Sequence, residues 1–415
     1  MSAKLQAPRG TYDVLPEEAT RRAAVEAAAA RILGAAGYRR IETPAFEATE
    51  LFARGVGSST DIVQKEMYTF EDGGGRSLTL RPEGTAPVCR AYLEHGMQKL
   101  PQPVKLWYLS SFFRYERAQA GRQRQFWQVG TEAIGSADPA VDAESIVLLA
   151  ELLDALGVRE VRLRLGSLGT AETRATYREE LQAYLRAHED RLSDEVRARI
   201  DQNPLRAFDA DHPGTREVMA AAPRLLDRLS GEDADHFATV CALLDGAALT
   251  YEVDPTLVRG LDYYARTVFE FTSDALGAQS GVGGGGRYDG LIEQLGGPPT
   301  PGVGWAAGVE RILLAADQSH VGEPVVDLFV AYAGEEHRAA GFQIAHEARR
   351  AGLAAQLELA GRSVKGQLKQ ADRIGARYVA ILGEEGATVK DSESGGQETV
   401  EPGAVVHHVL RGRSL

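Results

Sequence analysis

Cysteines and long apolar runs are scarce in this chain of 415 residues. The two cysteines, Cys89 and Cys241, lie far apart and form no CxxC pair, which argues against a disulfide framework and a thiolate zinc site. The pattern HExxH is also missing, so we expect no zinc and no other protein-bound metal. No apolar run approaches the roughly 18 residues that a membrane helix needs, and residues 1–16 lack the apolar core of a signal peptide. These absences predict a cytoplasmic protein with no membrane association.

The chain also has no excess of positive charge. The 46 Lys and Arg residues against 59 Asp and Glu residues give a net charge of −13, which disfavours indiscriminate binding to nucleic acid. A locally basic docking surface is compatible with that sum, so the distribution of charge matters more than its total. The chain is longer than one hydrophobic core usually organises, and we expect two or three domains.

Periodic apolar residues predict the elements of the first half of the chain. Residues 17–36 have the spacing of a helix, and the segment that follows reads as a short strand broken at Pro44 and then a helix. Two alternating segments, 104–115 and 125–134, are joined by a charged stretch with a glycine, as in a long antiparallel hairpin. Residues from about 170 to 247 are rich in Ala, Leu, Arg and Glu, which predicts a mostly helical insertion.

Strand character returns in the second half. It is found in residues 263–272 and 303–314, and the glycine-rich stretch 281–286 between them predicts a turn. Residues 315–324 have the composition of a linker. Beyond it, strand and helix patterns alternate as they do in a small α/β domain.

Successive side chains of a strand point to opposite faces, so the residues of the predicted hairpin can be sorted by position. The second segment has one face that is polar and aromatic, with Phe126, Gln128, Gly130 and Glu132, and one that is largely apolar, with Trp127, Val129, Thr131 and Ala133. The first segment places Arg114 and Glu116 on the face of Tyr108, Ser110 and Phe112. A guanidinium is a planar fork of donors suited to phosphate, so the arginines at 114, 117, 122 and 124 favour a site for a nucleotide or a nucleic-acid end. A solvated polar face is the alternative.

The hairpin residues resemble a known motif. Residues 113–117 (FRYER) and 126–132 (FWQVGTE) resemble motif 2 of the class II aminoacyl-tRNA synthetases, residues 302–311 (GVGWAAGVER) resemble motif 3, and the segment around Pro44 resembles motif 1. Three motifs in the right order are more specific than one. The chain departs from the family pattern at Ala118, where proline is common, and at Trp127, where a smaller or polar residue is common.

A further segment indicates which amino acid such an enzyme would use as its substrate. Residues 257–270 (LVRGLDYYARTVFE) are similar throughout to the segment that distinguishes the histidyl-tRNA synthetases from their class relatives. Residues 283–291 (GGGGRYDGL) and 79–85 (TLRPEGT) match the glycine-rich stretch and the amino-acid loop of that family. The glycines at 281, 283 and 286 also fit GxGxxG, but the βαβ setting of a dinucleotide fold is missing.

The resemblance implies an architecture and a reaction. Residues 1–324 would form the class II catalytic domain, an antiparallel sheet flanked by helices with the helical insertion at about 170–247, and residues 325–415 an α/β anticodon-binding domain. The implied enzyme activates L-histidine with ATP, accompanied by Mg²⁺, and transfers histidine to the 3′ end of tRNA(His). It would act as a homodimer joined through motif 1.

Carried over residue by residue, the family pattern assigns the nucleotide site. Arg114 would bind the α-phosphate, Arg311 the γ-phosphate and Glu116 the adenine amino group, while Phe126 would stack on the ring. Arg259 would face Arg114 across the α-phosphate, where other class II enzymes place a metal ion. The alternative for Arg259 is a surface arginine in an ion pair. Its apolar neighbours in the sequence argue against that alternative.

The amino-acid pocket needs an acceptor for an imidazole N–H and another for the ammonium group. Glu132 fits the first task and Glu83 the second. The resemblance adds several residues to this pocket: Thr85, Gln128, Arg259, Tyr264 and Tyr288.

Two basic regions are candidates for contact with tRNA. The resemblance points to Gln119, Arg122 and Arg124 in the motif 2 loop. In the last domain Arg362, Lys365, Lys369, Arg373 and Arg377 recur every three or four residues, which predicts five charges along one helix face. An exposed solubilising face is the alternative there.

Two other functions compete with this one. A class II synthetase for proline, threonine, glycine or serine would share motifs 2 and 3, but residues 257–270 and Glu132 argue against it. A non-catalytic histidine-binding paralogue that regulates histidine biosynthesis would lack the carboxy-terminal domain and lose the arginine at position 259, and both are present here.

Overall fold

The computed structural model describes residues 5–57, 60–117, 121–229, 231–257, 261, 263–277, 280–317 and 326–413. The chain divides into two compact units, Met1–Val321 and Gly322–Leu415. In the described part of the chain, no helix is both long and apolar enough to cross a membrane.

The first unit alternates strands and helices. Its strands are β1 (Arg39–Arg40), β2 (Phe46–Ala48), β3 (Tyr68–Glu71), β4 (Ser77–Leu80), β5 (Val104–Phe113), β6 (Gln125–Ile134), β7 (Val161–Ser167), β8 (Glu252–Val253), β9 (Ala265–Ser273), β10 (Gly281–Arg287) and β11 (Gly302–Gly308). Its α-helices are α1 (Pro16–Ala35), α2 (Thr49–Gly55), α3 (Thr85–Glu94), α4 (Pro139–Ala155), α5 (Ala171–Ala187), α6 (Asp194–Arg199), α7 (Pro213–Ala220), α8 (Gly231–Gly246), α9 (Leu291–Gln294) and α10 (Val309–Ala315).

A large sheet forms the centre of this unit, with the strand order β1-β5-β6-β11-β10-β9-β7-β8. The six inner strands pair in antiparallel fashion, and the short strands at the two edges pair in parallel. A second antiparallel sheet has the order β2-β4-β3. The predicted sheet flanked by helices is confirmed.

The hairpin of β5 and β6 is also confirmed, with Tyr108 opposite Gly130. Its two faces contribute to separate cores, as the alternation predicts. Trp107 and Val129 belong to a core that includes residues of α1, α4, α8 and α10, while Tyr108 belongs to a second core with residues of α3 and α5. Trp127 packs on the first core, so it faces away from the polar face of the hairpin.

The local signals for α1 are plain in the sequence. The helix begins with Pro16, whose fixed φ and missing N–H suit a first turn. It ends just before Gly37, which has a φ of 85°. Val25, Ala29, Ile32 and Leu33 form its buried face, in the spacing that predicted the helix.

The predicted turn at residues 281–286 is wrong, because this stretch is strand β10. It pairs with β9 on one side and with β11 on the other. The glycines allow that close approach: a Cβ at Gly283 would lie 2.6 Å from the Cβ of Ala307. Sheet pairing therefore overrides the local preference of glycine for turns. The strand character expected through residue 314 ends at Gly308, where α10 follows.

The predicted insertion is mostly helical, with α5, α6 and α7 joined by short 3₁₀ segments. Residues of α5, α6 and α7 contribute to the second core. The last helix of the segment, α8, packs on α4 instead, and its Val240 and Leu244 belong to the first core.

The second unit contains one mixed sheet. Its strands are β12 (Val326–Tyr332), β13 (Ala355–Leu357), β14 (Ala376–Gly383), β15 (Gly386–Asp391) and β16 (Gln397–Val400), and its helices are α11 (Arg338–Arg350), α12 (Val364–Arg373) and α13 (Val405–Arg413). The strand order is β13-β12-β14-β15-β16, with the first three strands parallel. Residues of α11 and α13 pack in one cluster, and Ala371 of α12 packs in another.

The expectation of five charges on one helix face is wrong. Lys365, Lys369 and Arg373 lie on α12 and are exposed, but Arg362 precedes the helix and Arg377 lies in β14. The helix is shorter than the charge pattern, because Gly375 adopts a φ of 63° just beyond its end.

Candidate active site

A buried carboxylate, that of Glu132 on β6, lies at the centre of the site, and its residue is 0% exposed. Three hydroxyl groups converge on it. The Tyr288 hydroxyl donates to Oε2 at 2.6 Å, and the hydroxyls of Thr85 and Tyr108 donate to Oε1 at 2.8 and 3.4 Å. The structure therefore brings Thr85 and Tyr288, two of the residues predicted for the amino-acid pocket, together at Glu132.

The electrostatics of Glu132 follow from this enclosure. Burial raises the pKa of the carboxyl to about 8, while the hydrogen bonds from Tyr288 and Thr85 act in the opposite direction. A ligand N–H group that enters the pocket would stabilise the charged form in the same way as these hydroxyls.

Tyr108 is the residue of this group to which no binding role was assigned from the sequence. It is 3% exposed, and its ring crosses the two glycines Gly84 and Gly130. A Cβ at either glycine would lie 2.5 Å from the Cζ atom of Tyr108, so only glycine leaves room for the ring. The alternation of the hairpin did place Tyr108 on the correct face, and that was the available signal.

Glu83 lies beside this group and is also buried. Its carboxylate accepts the backbone N–H groups of Thr85 at 2.7 Å and Ala86 at 3.1 Å, so it caps the first turn of α3. Burial raises the pKa of Glu83, and these two hydrogen bonds oppose the rise. This cap positions Thr85 so that its hydroxyl reaches the Glu132 carboxylate.

Three tyrosines form an aromatic wall. The ring centroids of Tyr263 and Tyr264 are 4.8 Å apart, and those of Tyr263 and Tyr288 are 6.0 Å apart. Tyr264 is 7% exposed. Tyr264 and Tyr288 therefore both lie beside Tyr263.

A polar pocket adjoins the carboxylate site along the same strands. The predicted nucleotide residues Arg114, Glu116, Phe126 and Arg311 line it together with Gln128. The guanidinium carbon of Arg114 lies 5.3 Å from the ring centroid of Phe126, and its Nε donates to the Pro82 carbonyl at 2.8 Å. The glycines of β10 form the floor, where the absence of side chains leaves space for a ligand.

Arginines and carboxylates alternate around this pocket. Glu116 lies 3.8 Å from Arg114 and 3.5 Å from Arg122. Arg311 donates from Nε to the Gly121 carbonyl at 3.2 Å and from Nη1 to the Gly281 carbonyl. Burial and the neighbouring Arg122 lower the pKa of Arg311, because both disfavour its positive charge; an anion bound there would stabilise that charge.

Two acidic residues of the pocket wall were missed from the sequence. Glu270 on β9 lines the pocket and lies 3.4 Å from Arg164. Glu310 accepts the Trp127 backbone N–H at 3.1 Å and pairs with Arg22 at 2.9 Å, so it ties α10 to the hairpin and to α1. Both lie within segments quoted above as motifs, residues 257–270 and 302–311, but no role was assigned to either residue.

Of the remaining predicted residues, Arg122 lines the polar pocket, and the others lie apart from it or outside the described residues. Arg259, Gln119 and Ala118 belong to the latter group. Arg122 is exposed, and Arg124 stacks on Tyr115 with 3.9 Å between its guanidinium carbon and the ring centroid. In the second unit Arg362 pairs with Glu358 at 3.2 Å, while Lys365 and Lys369 are exposed on α12. Across the described ranges no group of three His, Cys, Asp or Glu side chains could hold a metal ion.

Known proteins are similar to this chain in sequence and in fold. The family described as histidyl-tRNA synthetase matches residues 10–312, and the anticodon binding domain matches residues 327–411. Histidine–tRNA ligase of Halorhodospira halophila is 49% identical over 421 residues, which cover 98% of each chain. Histidine–tRNA ligase of Halothermothrix orenii is 47% identical over 401 residues, which cover 95% of this chain and 96% of the relative. The crystal structure of apo S. aureus histidyl-tRNA synthetase superposes with a TM-score of 0.83 at 36% identity, over 98% of this chain and all of that one. The chain belongs to the histidyl-tRNA synthetase family.

Proposed function

We propose that this chain is a histidine–tRNA ligase, which activates L-histidine with ATP and transfers histidine to tRNA(His). The observation that carries the proposal is the fully buried Glu132, with its three hydroxyl donors, next to a pocket walled by Arg114 and Arg311. A regulatory paralogue without catalysis is not favoured, because relatives that match almost the whole chain at 47–49% identity are ligases.

Histidine would enter with its imidazole toward Glu132. The carboxylate accepts the ring N–H, and the hydroxyls of Tyr288 and Tyr264 border the ring. Glu83 and Thr85 would face the α-amino group, and Gln128 the carboxylate. Because such buried polar groups are costly to leave unpaired, apolar analogues should be rejected by roughly 10⁴-fold.

ATP would occupy the adjoining pocket. Phe126 would stack on adenine with Glu116 at its amino group, Arg114 would hold the α-phosphate and Arg311 the γ-phosphate. Arg259 would neutralise the α-phosphate from the side opposite Arg114. A histidine carboxylate oxygen then attacks the α-phosphorus, the bond to the β-phosphate oxygen breaks, and pyrophosphate leaves with histidyl-adenylate remaining.

Mg²⁺ would accompany the β- and γ-phosphates rather than occupy a protein cage. The pocket supports this assignment, because its lining contains the carboxylates of Glu116, Glu270 and Glu310 among arginines. Mg²⁺ typically keeps several waters and binds through one or two carboxylates plus substrate phosphates. We assign no zinc to the chain.

Catalysis would belong to residues 1–324, with the helical insertion at about 170–247, and anticodon binding to residues 325–415. Arg122, Arg124 and Gln119 would contact the acceptor end, and Arg362, Lys365 and Lys369 the anticodon stem. A homodimer is also part of the proposal. Its support is the exposed pair Phe46 and Phe70, 49% and 42% exposed, on the small sheet beside Pro44.

The deciding experiment is ATP–pyrophosphate exchange with each of the twenty amino acids in turn. We expect histidine alone to stimulate exchange, and tRNA(His) alone among tRNAs to accept the product. Stimulation by a different amino acid, or by none, would overturn the proposed function. Sedimentation of the full chain at micromolar concentration tests the homodimer separately.

A further inference from the structure

One residue near the proposed histidine pocket has an unfavourable backbone. Arg266 adopts a φ of 48°, in the left-handed region that an arginine rarely enters. The ladder between β9 and β10 is irregular at this point: Gly286 pairs with Val268, but the next residue, Arg287, pairs with Ala265. Two residues of β9 are therefore left over, and Arg266 is the first of them, in a β-bulge.

The insertion helices hold this bulge from outside the sheet. The Arg266 side chain is 10% exposed and pairs with Glu232 at 2.6 Å and with Asp233 at 3.3 Å, both on α8. Its backbone N–H donates to the Gly169 carbonyl at 2.8 Å, and its carbonyl accepts the Leu168 N–H at 2.7 Å. The backbone N–H and the backbone carbonyl of Arg266 are thus both hydrogen-bonded, and its guanidinium is paired.

A second arginine reaches the same segment from α5. Arg174 donates from Nη1 to the carbonyl oxygen of Tyr264, two residues before the bulge. Asp233 joins the two helices, because its Oδ2 accepts from the Thr170 N–H at 2.8 Å and from the Thr173 hydroxyl at 2.6 Å. Residues 264–266 are therefore tied to α5 and α8 by one network of hydrogen bonds and ion pairs.

The position of the bulge determines where Tyr264 lies. Its ring rests over Gly286, where a Cβ would be 3.0 Å from Cδ1 of Tyr264. If the bulge relaxed and its two extra residues joined the ladder, the residues before it would move by two positions, about 7 Å along the sheet. Tyr264 would then leave its place over Gly286 and, together with Tyr263, move away from Tyr288.

We infer that the bulge at Arg266, clamped by α5 and α8, positions Tyr264 in the proposed histidine pocket, which makes Arg266 and Arg174 positioning residues for amino-acid recognition. The inference rests on the proposed function of that pocket. It gives the helical insertion a role in histidine binding without any contact between its helices and the ligand.

The test compares Arg266→Ala with Arg266→Gly. Both variants lose the ion pairs to α8, but only alanine keeps an unfavourable positive φ, whereas glycine adopts it freely. With the opposing contacts gone, we expect Arg266→Ala to raise the KM for histidine in pyrophosphate exchange about tenfold, since a left-handed residue costs about as much as a tenfold change in an equilibrium. Arg266→Gly should stay close to the unmodified protein. The KM for ATP should be unchanged in both.

An unchanged histidine KM in Arg266→Ala, or an equal increase in both variants, would overturn the inference. Thermal unfolding of each variant shows whether it is folded. Should Arg266→Ala fail to fold, Arg174→Met provides the second measurement: it keeps the bulge, removes the bond to the Tyr264 carbonyl, and should raise the KM for histidine but not for ATP. Absence of histidine-dependent exchange in the unmodified protein would instead overturn the proposed function.

Discussion

The titration of Glu132 should leave a measurable mark on the stability of the first unit. Burial raises the pKa of this carboxyl from 4.5 to about 8, against the hydrogen bonds from Tyr288 and Thr85. Because the pKa in the folded state lies above that of the unfolded chain, the folded protein keeps a proton that the unfolded chain releases. The stability that Glu132 contributes is complete below about pH 4.5 and is lost as the pH rises to about 8.

The size of the effect follows from the gap between the two pKa values. Each pKa unit corresponds to about 1.4 kcal/mol, so a gap of about three and a half units corresponds to roughly 4 to 5 kcal/mol. Glu132→Gln keeps the shape and an acceptor for Tyr288 but does not titrate. The unmodified protein should therefore lose stability relative to Glu132→Gln by about 1.4 kcal/mol for each pH unit between 5 and 8.

Urea denaturation at four pH values measures this difference. All three tryptophans of the chain, Trp107, Trp127 and Trp305, belong to or pack on the first core, so their fluorescence reports on the first unit. Other titrating groups are common to both proteins and cancel. A difference in unfolding free energy that stays constant from pH 5 to 8 would refute the reasoning. As a control, Tyr288→Phe keeps the titration and removes a hydrogen bond that lowers the pKa, so its window should extend above pH 8.

Three further predictions concern the reaction. Arg259→Ala should abolish adenylate formation while thermal unfolding stays normal, since the α-phosphate loses a counter-charge; near-normal pyrophosphate exchange would contradict the role. Glu132→Ala should lower kcat/KM for histidine by about 10- to 150-fold, the value of a hydrogen bond to a charged group, and retained histidine selectivity would count against the assignment. Replacing Lys365 and Lys369 together with Gln should raise the KM for tRNA and flatten its dependence on salt without a change in pyrophosphate exchange. An unaltered salt dependence would favour a merely solvated helix.

Local patterns in the sequence were sufficient for several elements. The period of two in the hairpin placed Phe126, Gln128 and Glu132 on one face because alternation is a property of the strand itself. The helix at Pro16–Ala35 and its glycine stop follow from interactions within a few residues. The glycine run at 281–286 shows the limit of such patterns, because its conformation depends on the two strands that flank it.

The charges of the second unit show the same limit. Their spacing fits one helix, but Arg362 precedes α12 and Arg377 lies in β14, where it pairs with Glu393 at 3.2 Å. Spacing alone does not tell where a helix ends. The conformation of Gly375 and the pairing of β14 determine that end.

The sequence by itself determined the family, the motifs and the polar face of the hairpin, because motifs and alternation depend on residue type and local spacing. Only the tertiary structure decided what surrounds Glu132. Thr85, Tyr108 and Tyr288 lie 47, 24 and 156 positions away in the chain. Their hydroxyls meet the carboxylate because strands β5, β6, β10 and β11 are neighbours in one sheet and α3, which begins at Thr85, shares a core with Tyr108 and Tyr288. The raised pKa of Glu132 has the same origin, since burial is a property of the assembled core.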